Sequence, residues 1–238
     1  MQPFDYDHDG IGLRGQLALP TGTGPHPGIM VMHDGQGVSE FMCAKAQALA
    51  AVGYAALATD MFGGGRRPTN IQDTMNLVMA LRKDEPLLRR RVLASFEAFR
   101  AHAAVDARRV GAIGYCFGGQ CVLELARSGA DAKGVVSFHG VLSAQHPSRP
   151  GAVQAKVLVL TGALDPFAPP RHVAAFQEEM RAAGAEWHMT IYGGAKHGFT
   201  DPISDAKAAE MEGVGYDALA DRLSWAQALA FLDATVHR

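Results

Sequence analysis

The chain has 238 residues, 48% of them hydrophobic and 19% charged, with a formal net charge of −2. That length and apolar content support a buried core and exclude disorder, and the near-neutral charge excludes a basic nucleic-acid or anionic-membrane surface. Three cysteines (Cys43, Cys116 and Cys121) are too sparse for a disulfide framework and fit a reducing, cytoplasmic setting. The acidic start MQPFDYDHDG has no signal-peptide pattern, and no run approaches the ~20 apolar residues of a membrane span.

In chain order, GIGLRG (Gly10–Gly15) satisfies a G-x-G-x-x-G spacing, yet no strand is read before it and no helix after it. It is therefore expected to be a turn between N-terminal strands, not a nucleotide site. Gly15–Pro20 and Gly28–Asp34 predict strands separated by the turn-rich TGTGPHP. FMCAKAQALAAVG predicts a helix with Met42, Ala46, Leu49 and Ala50 on one face and Gly53 as its stop. Tyr54–Asp60 predicts a buried strand. The loop MFGGGRRPTN then leads to helices around Ile71–Leu81 and Pro86–Ala104, with Pro86 in a first turn. The run Arg89–Arg91 follows Asp84 and Glu85 and reads as a solvated helix face.

Further on, RVGAIGY predicts a strand running into the helix FGGQCVLELARSG, and GVVSFHG and KVLVLTG predict two more strands. RHVAAFQEEMRAAG predicts a helix ending at Gly184, EWHMTIYGG the last strand, and GYDALADRLSWAQALAFLDATV a C-terminal helix. Continuous apolar strands alternating with helices imply a mostly parallel sheet covered on both faces. Residues 1–238 read as one α/β domain. Its stretch 63–91 is expected to be a lid or variable insertion, because most links in such domains run ~2–6 residues.

The chemistry concentrates at GYCFG. Gly114 and Gly118 flank Cys116 in the nucleophile-elbow pattern, with cysteine in the place of serine. A nucleophile on a tight strand-to-helix turn crowds the positions two before and two after it, which glycine tolerates. The helix that follows turns its amides and positive end toward the sulfur and favours thiolate. The alternative is a buried cysteine between chance glycines.

In this fold the order nucleophile, acid, histidine points to Asp165, after KVLVLTG, and to His197, in the loop YGGAKHGFT. Both lie beyond carboxyl ends of strands, where open α/β sheets place their sites. Asp165 alone could equally cap a helix. His33 and His139 also follow strands and compete for the role of base, whereas His172 reads as a helix-start residue and His188 as a strand-body residue. The expected oxyanion donors are the amides of Phe117, just after the nucleophile, and Gly35, in HDGQG. Cys116 and Cys121 lie five residues apart, which fits neither a redox pair nor zinc ligands, and no metal or cofactor motif is present.

These segments carry a resemblance. HDGQGVSEF, GYAALATDMFGGG, GYCFGG, VVSFHG, TGALDPFAPP and YGGAKHGF are similar to the dienelactone hydrolase (carboxymethylenebutenolidase) family of the α/β-hydrolase superfamily, over nearly the whole chain. The resemblance implies an α/β-hydrolase fold and a Cys116–Asp165–His197 triad that hydrolyses esters or lactones through a thioester, without metal or cofactor. Many relatives carry glutamate after the position of His33, where it holds the resting cysteine and helps deprotonate it. Here Asp34 stands there, one methylene shorter, either in that assisting role or as a loop aspartate capping local amides.

Relatives that process chlorocatechol metabolites anchor a substrate carboxylate with arginines, one of them four residues after the triad histidine. That position here is Asp201. Arg66, Arg67 and Arg82 are the candidates for the other arginine. The expectation is a cytoplasmic cysteine hydrolase of small esters or lactones other than dienelactone, acting as a monomer or homodimer. The same thiolate could also attack phosphorus in a phosphotriester. A ligand-binding pseudoenzyme and a thiol sensor are the non-hydrolase alternatives.

Overall fold

The computed structural model describes residues 1–208 and 211–237. It opens on an antiparallel hairpin, β1 (Gln2–His8) and β2 (Ile11–Ala18). Its turn is Asp9–Gly10, both at positive φ (55° and 74°). The expected turn at Gly10–Gly15 is thus corrected: a strand does precede it, and from Ile11 its residues lie inside β2. Gly15 is needed there because a Cβ would fall 2.7 Å from the Ala58 carbonyl oxygen.

The chain continues through β3 (His26–Met32), α1 (Glu40–Ala51), β4 (Ala55–Thr59), α2 (Ile71–Arg82), α3 (Glu85–Arg100) and β5 (Val105–Tyr115). Then come α4 (Phe117–Arg127), β6 (Gly134–Phe138), β7 (Lys156–Gly162), α5 (Pro170–Ala182) and β8 (Trp187–Tyr192). A short α6 (Ser204–Lys207) and α7 (Ala218–Leu232), which runs into a π-helical turn at Asp233–His237, complete the chain.

The eight strands form one sheet in the order β1-β2-β4-β3-β5-β6-β7-β8, parallel from β4 onward. Alternation along each strand feeds two cores. Ile29 and Val31 meet α1 and α7 through Met42, Leu49, Ala228 and Leu232. Met30 and Met32 face the other layer, with Leu88 and Phe96 of α3, Val122 of α4 and Phe176 of α5. Because β4 and β5 flank β3 on opposite sides, the chain turns away in two directions beyond its carboxyl end, and a crevice opens there.

One run behind the crevice departs from the sequence reading. The Arg89–Arg91 run is not a solvated face, because three consecutive helical residues point in three directions. Arg90 is exposed, but Arg91 is buried and donates to the Met61 carbonyl (3.0 Å). Arg89 pairs with Glu124 on α4 (2.6 Å). Glu124 also pairs with the buried Arg127 (2.8 Å), which reaches Glu179 on α5 (2.8 Å), so one charged chain ties three helices together.

The 63–91 stretch also divides. Residues from Pro68 to Arg82 line the crevice, whereas from Glu85 the chain belongs to α3 and packs on α4. At its start the Asp60 carboxylate accepts the amides of Arg14, Phe62, Gly63 and Gly65 (2.7–3.0 Å). Those bonds hold Gly63, Gly64 and Gly65 at positive φ.

Candidate active site

Cys116 joins the buried strand β5 to α4 and adopts φ 54°, ψ −112°, a conformation L-residues rarely take. The unusual dihedrals sit on the cysteine itself. Gly114 and Gly118 have no positive φ and are required by space alone. A Cβ on Gly114 would lie 2.0 Å from the Gly118 carbonyl oxygen, and one on Gly118 2.1 Å from that of Met32. A Cβ on Gly119 would likewise fall 2.6 Å from the Gly140 Cα. The glycines therefore let α4 start directly against β3 and β6, with its first turn at the sulfur.

The structure brings the three predicted triad residues together. Asp165 follows β7 and is buried, with one carboxylate oxygen accepting the Phe167 amide (2.8 Å). Its other oxygen lies 2.9 Å from His197 Nδ1, and His197 Nε2 lies 3.1 Å from Cys116 Sγ. His197 sits in the loop after β8, fixed by its amide to Gly213 O and by its carbonyl to Gly215 N. Nδ1 donates to the carboxylate, so Nε2 faces the sulfur. Burial opposes charge on this imidazole, but the Cys116 sulfur and the Asp165 hydrogen bond outweigh it and push its pKa up to about 10.

The competing histidines separate clearly. His33 is buried between backbone groups, Nδ1 on Asp34 O (2.6 Å) and Nε2 accepting from Met61 N (3.1 Å). Burial lowers its pKa, and its ring lies against Phe62. His33 therefore fastens β3 to the end of β4. His172 stands in the first turn of α5 and His188 in β8, as expected. His139 reaches the elbow, with Nδ1 accepting from Cys116 N (3.2 Å).

Asp34 lies in the site, but its carboxylate is engaged by its own turn, accepting Gln36 N (2.8 Å) and Gln36 Nε2 (3.1 Å). Gln36 Nε2 also reaches Asp201 (3.4 Å). Phe117 and Gly35, the predicted oxyanion donors, line the same cavity as Cys116. A Cβ on Gly35 would meet the Thr74 methyl at 2.7 Å, so a side chain there would have to displace Thr74 on α2.

That cavity holds about 440 Å³ and is roofed by α2. Of the three candidate arginines, Arg82 lines it, while Arg66 pairs with Asp73 (2.6 Å). Asp201 and Asp34 also line it. Sequence reasoning missed Gln36, Thr200 and Gln120 as cavity residues. Each lay close to a predicted residue: Gln36 beside Gly35, Gln120 four residues after Cys116 and Thr200 three after His197. Among the described residues no group of three or more His, Cys, Asp or Glu side chains is placed to hold a metal, and no helix is long and apolar enough to cross a membrane.

Comparison with known proteins gives a consistent result. The dienelactone hydrolase family model matches residues 13–236. A "Probable 2-oxo-3-(5-oxofuran-2-ylidene)propanoate lactonase" from Bradyrhizobium is 29% identical, covering 93% of this chain and 91% of the relative. Among solved structures, the dienelactone hydrolase-like promiscuous phosphotriesterase P91 from metagenomic libraries is 32% identical with a TM-score of 0.93, covering 98% of this chain and 97% of P91. The protein described as m3DLH is 34% identical with a TM-score of 0.92, covering 99% and 98%. With the α/β-hydrolase sheet in place and the family match spanning nearly its whole length, the chain belongs to the dienelactone hydrolase family.

Proposed function

We propose that this hydrolase cleaves small carboxylic esters or lactones through a thioester on Cys116. The observation that carries the reading is the unbroken line Asp165–His197–Cys116, with contacts of 2.9 and 3.1 Å, at a 440 Å³ cavity. The reacting pair is a Cys116 thiolate and a His197 imidazolium. The thiolate adds to the carbonyl carbon, and the amides of Phe117 and Gly35 take the developing oxyanion; such donors typically contribute ~3 kcal/mol each. Gln36 N is already bound to Asp34, which favours Gly35 as the loop donor.

The tetrahedral intermediate collapses, the carbon–oxygen bond breaks, and His197 Nε2 gives its proton to the leaving alkoxide. Neutral His197 then takes a proton from water, whose hydroxide attacks the thioester. The acid leaves, and thiolate and imidazolium are restored. In a lactone the alcohol is part of the acyl group, so it stays on the enzyme through the thioester and the product leaves as one hydroxy acid.

We read the whole chain as one catalytic domain in which α2 serves as lid. Arg82 on one wall and Asp201 with Asp34 on another fit a neutral or zwitterionic substrate better than the anionic dienelactone. The Asp34 carboxylate is held by the Gln36 turn, which leaves activation of the nucleophile to His197. A reducing compartment such as the cytoplasm suits a catalytic thiol. The 32% identity to P91, described as a promiscuous phosphotriesterase, favours phosphotriester hydrolysis as a second activity of the same thiolate.

A panel of p-nitrophenyl esters, γ-lactones and paraoxon separates the readings. Acyl substrates should give the highest kcat/KM, and activity on every class should vanish in Cys116→Ala. Higher kcat/KM on paraoxon than on any acyl substrate would reverse the assignment.

A further inference from the structure

We propose that His139 is a positioning residue which ties the backbone of the nucleophile to the loop carrying the general base. The proposal rests on the reading of Cys116 and His197 as those two groups. His139 follows β6, is buried, and is held at φ 38°, an unusual conformation for a residue with a side chain. Its own amide is anchored on Leu160 O (2.8 Å). From that fixed point the ring reaches both sides of the site.

On one side Nδ1 accepts the Cys116 amide (3.2 Å), which also reaches Phe138 O (3.0 Å). An Nδ1 that accepts carries no proton, so the ring hydrogen is on Nε2. On the other side Nε2 therefore donates to Thr200 Oγ1 (2.8 Å), three residues beyond His197 on the same loop. The ring also stands edge-on to His197 and to Phe199, each at 5.2 Å between centroids. One imidazole thus spans the elbow and the histidine loop, two segments far apart in sequence.

Its importance changes through the reaction. Before acylation His197 Nε2 has the Cys116 sulfur as its partner at 3.1 Å. Once the sulfur carries the acyl group, that contact no longer holds the imidazole. The Cys116–His139–Thr200 link does not involve the sulfur and survives acylation. It keeps the His197 loop in register while the base must activate water, so its loss should slow deacylation more than acylation. A displacement of about 1 Å at such a step can cost ~100-fold.

The test is pre-steady-state hydrolysis of p-nitrophenyl acetate by His139→Phe, Thr200→Val and the double variant. Each single variant should lower the deacylation rate about 10- to 100-fold. Acylation should change far less, so the p-nitrophenol burst becomes more pronounced while kcat and KM fall together. Because both residues act through one link, the double variant should be no slower than His139→Phe. Thr200→Val is nearly isosteric and carries the test alone if His139→Phe fails to fold.

A wild-type deacylation rate in Thr200→Val, or losses that add in the double variant, would overturn the proposal. So would equal slowing of both steps, the mark of a merely structural role. These outcomes are distinct from failure of the underlying reading, which would appear as full activity in Cys116→Ala or His197→Ala.

Discussion

Replacing Cys116 with alanine is expected to lower kcat/KM toward p-nitrophenyl esters by at least about 1,000-fold, with the thermal midpoint nearly unchanged. Residual turnover would come only from binding and from the amides at the start of α4, which in related hydrolytic sites retain a small part of the acceleration. The fold should tolerate the change because the side chain is only partly buried and the next residue of the chain still has to enter α4. What holds the elbow is backbone: the Cys116 amide on Phe138 O and the close approach of Gly118 to Met32. Steady-state kinetics beside a melting curve checks both halves of the prediction. Full esterase activity in this variant would remove the thioester from the mechanism.

Asp165→Asn should cost about 10,000-fold in kcat, the scale seen when a triad carboxylate is replaced by its amide. The asparagine can present its N–H to His197 Nδ1, and the imidazole then turns its acceptor away from the sulfur. The pH profile adds a second signature. Burial disfavours the His197 charge, but the Cys116 sulfur and Asp165 raise its pKa to about 10. The proton needed by the leaving alkoxide is therefore present at neutral pH, and kcat/KM should fall only as pH rises through about 10. Removing one of the raising influences moves that basic limb to lower pH.

The same shift also bears on stability. The folded pKa of His197 lies above its ordinary value of 6.5, so its stabilising contribution is complete below 6.5 and disappears as pH rises through about 10. In Asp165→Asn the contribution should be smaller and be exhausted at a lower pH. A basic limb that stays in place in the variant would place the essential proton on another group.

The three residues of the Asp165–His197–Cys116 line were legible in the sequence because their determinants are local. Two glycines around Cys116 mark a turn crowded by backbone on both sides, and Asp165 and His197 lie in the loops that follow two strands readable without tertiary information. The sheet's parallel character followed for the same reason. β1 was missed because its alternation of Phe4 and Tyr6 with Asp5 and Asp7 occurs on an exposed edge hairpin, where acidic residues weaken the strand signal. GIGLRG was misplaced as a consequence, its real turn being one step earlier at Asp9–Gly10.

What the sequence did not disclose is pairing at a distance. Arg89 and Glu124 stand on different helices, and Asp60 gathers amides from both β2 and the glycine loop. His139 was visible as a strand-end histidine, but its partners, Cys116 N and Thr200, are set by how β5, β6 and the last loop converge. Asp34 shows the converse. Its position was legible, while the engagement of its carboxylate by Gln36 depended on the turn it closes.

The most direct test of the thioester is intact-protein mass spectrometry after rapid mixing with p-nitrophenyl acetate, followed by peptide mapping. One acetyl group on Cys116 is the expected result, appearing with the p-nitrophenol burst, released by hydroxylamine, and absent in Cys116→Ala. Sustained turnover with no acyl adduct, or an adduct on any other side chain, would contradict it.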